Sequence, residues 1–317
     1  MTEFVLSLEH ERKSATLPEL LSHIGGTPLL RLSRIANGLP SGTEIHGKAE
    51  YLNPSGSLKD RPAKAMILAG VASGALTLQK SILDATSGNT GIAYAMIGAA
   101  MGHGVTLCLP ANATAERKRI LQIYGARIIE TDPAQGSDGA QRKANELFQA
   151  DPGRYFHVDQ YNNDDNWKAH YETTGPEIWE QTGGRVTHLV AGVGTSGLFM
   201  GTARRLKELN PSIKAIAVQP DVQAHGLAGL KHMKTAIVPG IYDPVVADAQ
   251  VAVSTAEGRA MARRLAREEG VLVGPSSGAS VFAALRLALG LPPGSVVVTV
   301  LFDSGSRYLA DPFWEQG

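Results

Sequence analysis

Short runs of apolar residues alternate with longer segments of helical periodicity along most of the chain. The apolar runs predict strands, and they lie at residues 45–51, 81–85, 105–109, 127–130, 186–191, 215–219, 271–273 and 295–302. The periodic segments predict helices, and they lie at residues 58–72, 92–101, 115–124, 138–148, 173–181, 198–209, 255–269 and 279–289. Strands that alternate with helices in this way are typical of an α/β fold, in which parallel sheets are covered by helices on both faces.

The length of the chain, 317 residues, predicts two domains. The polar segment 160–166 is the best boundary between them, so we expect an N-terminal α/β domain over residues 1–160 and a C-terminal α/β domain over residues 161–317. Residues 220–246 have only weak periodicity, which predicts a mobile loop over a site. Ligands of parallel sheets bind beyond the carboxyl ends of the strands, so the loops at those ends are the expected place of function.

Charge and composition exclude several classes of protein. Lysine plus arginine and aspartate plus glutamate both number 30, and a formal charge of 0 argues against nucleic acid as a partner. The one cysteine, Cys108, excludes an internal disulfide and a cluster of cysteines around a metal, so no metal is expected. No apolar stretch reaches the roughly 18 residues of a membrane span, and residues 1–14 lack the apolar core of a secretory signal. We therefore expect a cytoplasmic protein that does not bind membranes.

Four loops rich in glycine, serine and threonine follow predicted strands and open predicted helices. They lie at residues 53–60, 86–91, 192–197 and 274–278. The N-terminus of a helix carries unpaired N–H groups and a partial positive charge, which favour anions. One such loop is usually explained by helix capping alone, but four at equivalent positions predict a ligand, or a pair of ligands, with more than one anionic group.

The first of these loops carries a candidate reactive lysine. Ser57 and Asp60 have the spacing of a capping box, which predicts a helix that begins at Leu58. Lys59 would then lie in the first turn, where a positive charge is disfavoured. This placement favours a neutral amine, which is the form that a Schiff-base lysine needs.

The third loop has the G-x-G-x-x-G spacing of a dinucleotide-binding site, at Gly192, Gly194 and Gly197. An NAD-linked oxidoreductase is therefore an alternative of another class. The full motif also requires an acidic residue about 20 residues further on, at the end of the next strand. That strand ends at residues 218–220 with no acid. A single phosphate needs no such partner and suits this loop better.

Two motifs together resemble a known family. The motifs are NPSGSLKDRP at residues 53–62 and TSGNTG at residues 86–91, and the chain is similar to the cysteine synthase and cystathionine β-synthase family from about residue 24 to residue 309. Residues 159–163, 174–179 and 238–243 look most like the B-type bacterial cysteine synthases. The family consists of pyridoxal-phosphate (PLP) enzymes of fold type II, similar to the tryptophan synthase β subunit. The resemblance thus implies two domains of parallel-rich twisted sheets, with a chain crossover near the N-terminus.

The resemblance also implies a role for each loop. Lys59 would bind the cofactor covalently and act as the catalytic base, Asn89 would contact the ring hydroxyl of the cofactor, and Ser276 would contact its pyridine nitrogen. The substrate carboxylate would be bound by Thr86, Ser87, Gly88, Thr90 and Gln160. The cofactor phosphate would be bound by Gly194, Thr195, Ser196, Gly197 and Leu198. Leu198 stands where the family usually has a hydroxyl residue, so a threonine there is expected to bind the phosphate more tightly.

The activity that the resemblance implies is β-replacement. L-cysteine would form from an activated serine, O-acetyl-L-serine first of all, and sulfide, through an α-aminoacrylate intermediate. A cystathionine β-synthase type of reaction and the use of O-phosphoserine are the alternatives, and the sulfur donor stays open between sulfide, thiosulfate and a protein thiocarboxylate. Threonine dehydratases differ in both motifs. Family members form homodimers and can bind the C-terminal tail of a serine acetyltransferase, so the resemblance implies these two partners as well.

Overall fold

The computed structural model describes residues 17–86 and 88–315 and confirms the α/β fold. Its strands are β1 (Leu29–Arg31), β2 (Glu44–Lys48), β3 (Ser81–Ala85), β4 (Val105–Pro110), β5 (Arg127–Thr131), β6 (Tyr155–His157), β7 (His188–Gly192), β8 (Lys214–Pro220), β9 (Ala249–Val253) and β10 (Val296–Val300). Its α-helices are α1 (Asp60–Ala72), α2 (Asn89–Met101), α3 (Ala115–Ile123), α4 (Gly136–Ala150), α5 (Asp165–Ala169), α6 (Gly175–Gln181), α7 (Gly197–Leu209), α8 (Thr255–Arg264) and α9 (Pro275–Ala288).

The strands form two sheets. The larger sheet has the order β1-β2-β10-β7-β8-β9, and all of its pairs are parallel except β1 with β2. The smaller sheet has the order β5-β4-β3-β6 and is parallel throughout. Every residue of β4 and of β10 is buried, because helices cover both faces of a parallel sheet.

The sheets also show how the two halves of the sequence are joined. The early strands β1 and β2 belong to the sheet that is otherwise built from the second half of the chain. The last strand, β10, lies between β2 and β7. The division into domains at residue 160 stays a prediction, and we propose that residues up to the end of β2 belong with the C-terminal domain.

Several predicted strands need correction. The predicted strand at 271–273 is wrong, because only Val273 makes a single bridge, to Ser304, in a tight connection between α8 and α9. The pattern missed β1 and β6, which have only three residues each. It also missed β9, an edge strand whose residues are mostly exposed and so lack an apolar face.

Helix boundaries differ from the prediction mainly where other segments hold the chain. α1 begins at Asp60 and not at Leu58, because Leu58 N donates to Phe302 O at 2.9 Å and the residues before Asp60 form a turn. The predicted helix at 173–181 is the end of a longer helical stretch, in which a π-helical turn, His170–Thr174, joins α5 to α6. A similar turn, Leu265–Glu269, extends α8. No helix of the described residues has both the length and the apolar character to cross a membrane.

A buried cluster of charges joins β2 and the turn that follows it to α1 and α6. The Arg61 guanidinium donates to both carboxylate oxygens of Glu50, at 2.7 and 2.8 Å, and to both of Glu177, at 2.7 Å each. Lys48 Nζ lies 2.6 Å from Glu177. Burial alone would raise the pKa of the Glu177 carboxyl, but the hydrogen bonds and charges of Arg61 and Lys48 hold that pKa at about 2.

Replacement of Glu177 by glutamine is expected to destabilise the protein at neutral pH. It leaves Arg61 and Lys48 short of a counter-charge, which in a buried cluster costs about 3 kcal/mol of unfolding free energy. Because the folded pKa of Glu177 lies below its ordinary value of 4.5, the stabilisation is complete above that pH and is lost as the pH falls towards 2. Melts of both proteins from pH 7 down to pH 3 should therefore converge. The control is Glu130→Gln, which breaks an exposed pair with Lys118 and should cost less than about 1 kcal/mol. A difference in melting temperature between the two proteins that is as large at pH 3 as at pH 7 would contradict the ion pairing of Glu177.

Candidate active site

A cavity of about 280 Å³ opens at the carboxyl ends of the parallel strands. A smaller cavity of about 40 Å³ adjoins it, and Lys59, Asn89, Gly194 and Thr195 line both. The walls include most of the residues predicted for the site. The larger cavity is lined by Lys59, Thr86, Gly88, Asn89, Thr90, Gln160, Gly194 and Thr195, and the smaller one adds Ser196, Leu198 and Ser276. Gly197 lines neither, and Ser87 lies outside the described residues.

Helix N-termini meet at these cavities, as the four loops predicted. α2 begins at Asn89 and α7 at Gly197, each directly after a loop that contributes to the walls, and α9 begins at Pro275 and contributes Ser276 from its first turn. Each N-terminus presents free N–H groups and a partial positive charge. The two cavities therefore offer two separate places for anionic groups, one at α2 and one between α7 and α9.

Lys59 is held differently from the prediction. The predicted capping box is wrong: the Asp60 carboxylate accepts hydrogen bonds from the backbone N and the hydroxyl of Ser55, not from Ser57. Ser57 instead forms a bridge with Asp303, and a turn at Leu58 and Lys59 leads into α1, with Lys59 as its N-cap. This long-range bridge has no signal in the local sequence.

The pKa of the Lys59 amine is nevertheless lowered. Burial lowers the pKa of Lys59 to about 8, and the nearby Asp303 carboxylate opposes the shift. The direction agrees with the sequence argument, but burial is the larger cause. A lysine with this pKa has a substantial neutral fraction at physiological pH and can form a Schiff base with an aldehyde.

Asp303 is a member of the site that the sequence analysis did not single out. Its side chain is buried, and Oδ2 accepts hydrogen bonds from Asn89 Nδ2 at 2.8 Å and from the Tyr308 hydroxyl at 2.7 Å. Oδ1 has no hydrogen-bond partner among residues 17–86 and 88–315. Asn89 Oδ1 accepts a hydrogen bond from Arg307. Because Asn89 Nδ2 uses one of its two N–H groups for Asp303, the other remains for a ligand.

The loop before α7 has the shape of a phosphate cradle. Ser196 has a φ of 71°, an uncommon conformation that bends the loop into the helix. A side chain at Gly194 would overlap the carbonyl oxygen of Gly229, and one at Gly197 would overlap Asn166. Glycine is required at both positions because other segments pack directly on the backbone.

The predicted carboxylate loop is pre-assembled by hydrogen bonds. The Thr90 hydroxyl donates to Gln160 Oε1 at 2.9 Å, and Gln160 Nε2 donates to Ala85 O at 3.1 Å. Asn166 Nδ2 donates to Gln160 O at 2.6 Å, and Asn166 also packs on Gly197. Asn166 therefore contacts residues of both predicted anion sites.

Two further residues of the cavity wall were not singled out in the sequence. Arg117, from α3, lies with its guanidinium carbon 5.8 Å from the centre of the Tyr308 ring. Lys231 Nζ lies 4.5 Å from the centre of the Tyr161 ring and donates to Ile237 O. Both cations line the larger cavity. Lys231 belongs to the segment 220–246 that was predicted to cover a site, and residues 228–231 do line one.

A comparison with known protein families identifies the family to which the chain belongs. The family described as "Pyridoxal-phosphate dependent enzyme" matches residues 20–303 of the chain. The chain is a member of this PLP-dependent family. The loop Gly192–Gly197 thus belongs to a PLP enzyme, and the NAD-linked alternative finds no support.

Curated relatives and solved structures agree with this assignment. The chain is 48% identical over 294 residues to a cysteine synthase of Aquifex aeolicus, which covers 92% of this chain and 90% of that protein. It is 41% identical to cysteine synthase B of Pseudomonas aeruginosa, with 94% and 98% covered. The solved cysteine synthase of Entamoeba histolytica has a TM-score of 0.90 at 35% identity, with 96% and 93% covered.

The residues present fit PLP. The cofactor carries an aldehyde and a phosphate, and the site offers a buried lysine of lowered pKa beside a glycine-lined helix N-terminus. Ser276, in the first turn of α9, is buried on the wall of the smaller cavity and could accept or donate at a ring nitrogen. The roles of the individual residues stay predictions.

Leu198→Thr is expected to lower stability without tighter binding of the cofactor. Leu198 is buried in the apolar cluster that includes Leu58, Phe199 and Phe302, so its apolar contacts are needed. Loss of these contacts costs about 2 kcal/mol of unfolding free energy. Thermal melts and cofactor dissociation should be measured beside Leu198→Met, which keeps the volume. A roughly tenfold gain in cofactor affinity at unchanged stability would restore the expectation from the sequence.

Asp303→Asn is expected to lower the pKa of Lys59 further, because the Asp303 charge raises it. The apo-protein should then bind PLP covalently at lower pH than the wild type. The rate at which the yellow absorbance of the lysine-bound cofactor develops, measured against pH, reports the midpoint. Asp311→Asn is the control, because Asp311 pairs with Arg259. A midpoint that rises, or that does not move, would show that Asp303 does not act on Lys59.

Proposed function

We propose that the chain is a PLP-dependent transferase that makes L-cysteine from O-acetyl-L-serine and sulfide by β-replacement. One observation supports this most: Lys59 lies where the two anion sites meet and lines both cavities. An amino acid whose carboxylate binds at α2 would thus reach a cofactor whose phosphate binds at α7. The names of the curated relatives, cysteine synthases at 48% and 41% identity, support the same reaction.

When bound, PLP supplies an electron sink that stabilises negative charge at the substrate Cα. The chain supplies the rest. Thr86, Thr90, Gln160 and the N-terminus of α2 bind the substrate carboxylate and so orient the Cα–H bond. Gly194, Thr195, Ser196, Gly197 and Leu198 hold the cofactor phosphate through backbone N–H groups, and Asn89 and Ser276 fix the ring.

Lys59 is the base of the proposed reaction. Its lowered pKa makes the neutral amine available, so Nζ can accept the proton from the substrate Cα. Acetate then leaves from Cβ with the electron pair of the C–O bond. Sulfide adds at the same carbon, and Lys59 Nζ returns the proton to Cα. Ser276, a neutral hydroxyl, does not force the pyridine nitrogen to be protonated, which suits β-replacement better than transamination.

A cystathionine β-synthase type of reaction remains the second candidate. The solved O-acetylserine dependent cystathionine β-synthase of Helicobacter pylori has a TM-score of 0.88 with this chain at 34% identity. The two candidates differ in the thiol that they accept. Turnover of O-acetylserine with sulfide, compared with homocysteine, separates them, and O-phosphoserine in parallel identifies the leaving group.

We further propose a homodimer in the cytoplasm that can bind the C-terminal tail of a serine acetyltransferase. The family resemblance supports these three features. Gel filtration tests the first, and competition between the tail peptide and O-acetylserine tests the last.

Lys59→Ala is expected to abolish β-replacement while PLP still binds non-covalently. The variant removes both the covalent link and the base, but leaves the phosphate loop intact. Turnover, cofactor content and thermal melts should be measured together. Lys64→Ala is the matched control: Lys64 lies one turn further along α1, donates to Leu21 O and lines neither cavity. Turnover of Lys59→Ala near the wild-type rate would contradict the proposed role.

A further inference from the structure

A buried carboxylate lies directly behind the proposed substrate site. Asp84 is the fourth residue of β3 and is only 2% exposed. Among the described residues, no lysine, arginine or histidine forms an ion pair with it, although buried charges are normally paired. Burial raises the pKa of Asp84 to about 7, and hydrogen bonds oppose the shift. The burial of an acidic residue at this cost in solvation needs an explanation.

Three hydrogen-bond donors, from a helix, a loop and a strand, contact this carboxylate. The Tyr94 hydroxyl, on α2, donates to Oδ2 at 2.9 Å. The backbone N of Gln160, which follows β6, donates to the same oxygen at 3.3 Å. The backbone N of Ala85 donates to Oδ1 at 2.7 Å. Asp84 therefore ties α2 and the Gln160 segment to the end of β3.

The same elements meet a second time at the substrate site itself. Thr90 is four residues before Tyr94, on the same face of α2, and its hydroxyl donates to Gln160 Oε1. Gln160 Nε2 donates back to Ala85 O. Asp84, Tyr94, Thr90 and Gln160 thus form a closed ring of contacts, with the first two behind the site and the last two on its wall.

We propose that Asp84 and Tyr94 are positioning residues that hold Thr90 and Gln160 in the geometry that binds the substrate carboxylate. The inference rests on the proposed function. A carboxylate can accept hydrogen bonds at both oxygens, so one side chain fixes the helix, the strand end and the loop together. Tyr94, which is completely buried, holds that carboxylate from the helix side. Donors that are fixed before the substrate arrives bind it without the entropic cost of ordering them.

Tyr94→Phe tests the proposal, because it removes one hydroxyl and keeps the ring. We expect the KM for O-acetylserine to rise about fivefold to tenfold, which corresponds to the loss of one ordinary hydrogen bond, while kcat changes less than about twofold. Tyr155→Phe is the matched control. Tyr155 is also a buried tyrosine of the smaller sheet, and its hydroxyl makes no hydrogen bond within the described chain. Asp84→Asn is the second variant, and we expect the same rise in KM with little change in kcat.

The background variant Gln160→Ala shows whether Tyr94 acts through Gln160. If it does, adding Tyr94→Phe to Gln160→Ala raises KM no further. An equal rise in both backgrounds would overturn the positioning of Gln160, and Tyr94→Phe with a lower melting temperature but an unchanged KM would overturn the proposal as a whole.

Titration of the cofactor absorbance with L-serine separates this inference from the proposed function. L-serine has the carboxylate and the amine of the proposed substrate, and its binding needs no turnover. A wild-type protein that binds L-serine but does not use O-acetylserine refutes the proposed reaction alone. Equal L-serine affinity of wild type, Tyr94→Phe and Asp84→Asn refutes the positioning role alone.

Discussion

Parallel pairing of the strands is the constraint from which the site follows. In a parallel sheet all strands end at one edge, so the helices that connect them begin at that same edge. The N-termini of α2, α7 and α9 therefore meet at the two cavities as a direct result of the sheet topology. Their partial positive charges allow a chain of zero net formal charge to offer the two predicted anion sites, while burial lowers the pKa of the Lys59 amine between them.

The sequence predicted most of what depends on local pattern. Apolar runs predicted the central strands because these are buried on both faces, as β4 and β10 show. The glycine-rich loops indicated places where the backbone is approached closely, and Gly194 is one, since a side chain there would overlap the carbonyl oxygen of Gly229. For Lys59 the sequence predicted the correct direction of the pKa shift, although its cause is burial and not a place in the first helical turn, and the covalent role of Lys59 stays a prediction.

What the sequence missed depends on contacts between distant segments. The start of α1 is set by Phe302 and Asp303, more than 240 residues away, so the local capping pattern of Ser57 and Asp60 is overridden. Asp303 is an ordinary acid in the sequence and becomes a neighbour of Lys59 only in the fold. The short strands β1 and β6 are defined by their partners rather than by their own three residues.

The position of β10 has a consequence for synthesis. It is the last strand of the described residues, yet it pairs with both β2 and β7, and Asp303, three residues beyond its end, forms the bridge to Ser57. The larger sheet therefore cannot be completed until synthesis of the chain is nearly finished. Contacts of such long sequence separation form late, because the loop they close is long. The cofactor pocket is consequently a product of the finished chain, and a nascent chain that stops before β10 exposes two unpaired strand edges, a state that favours aggregation.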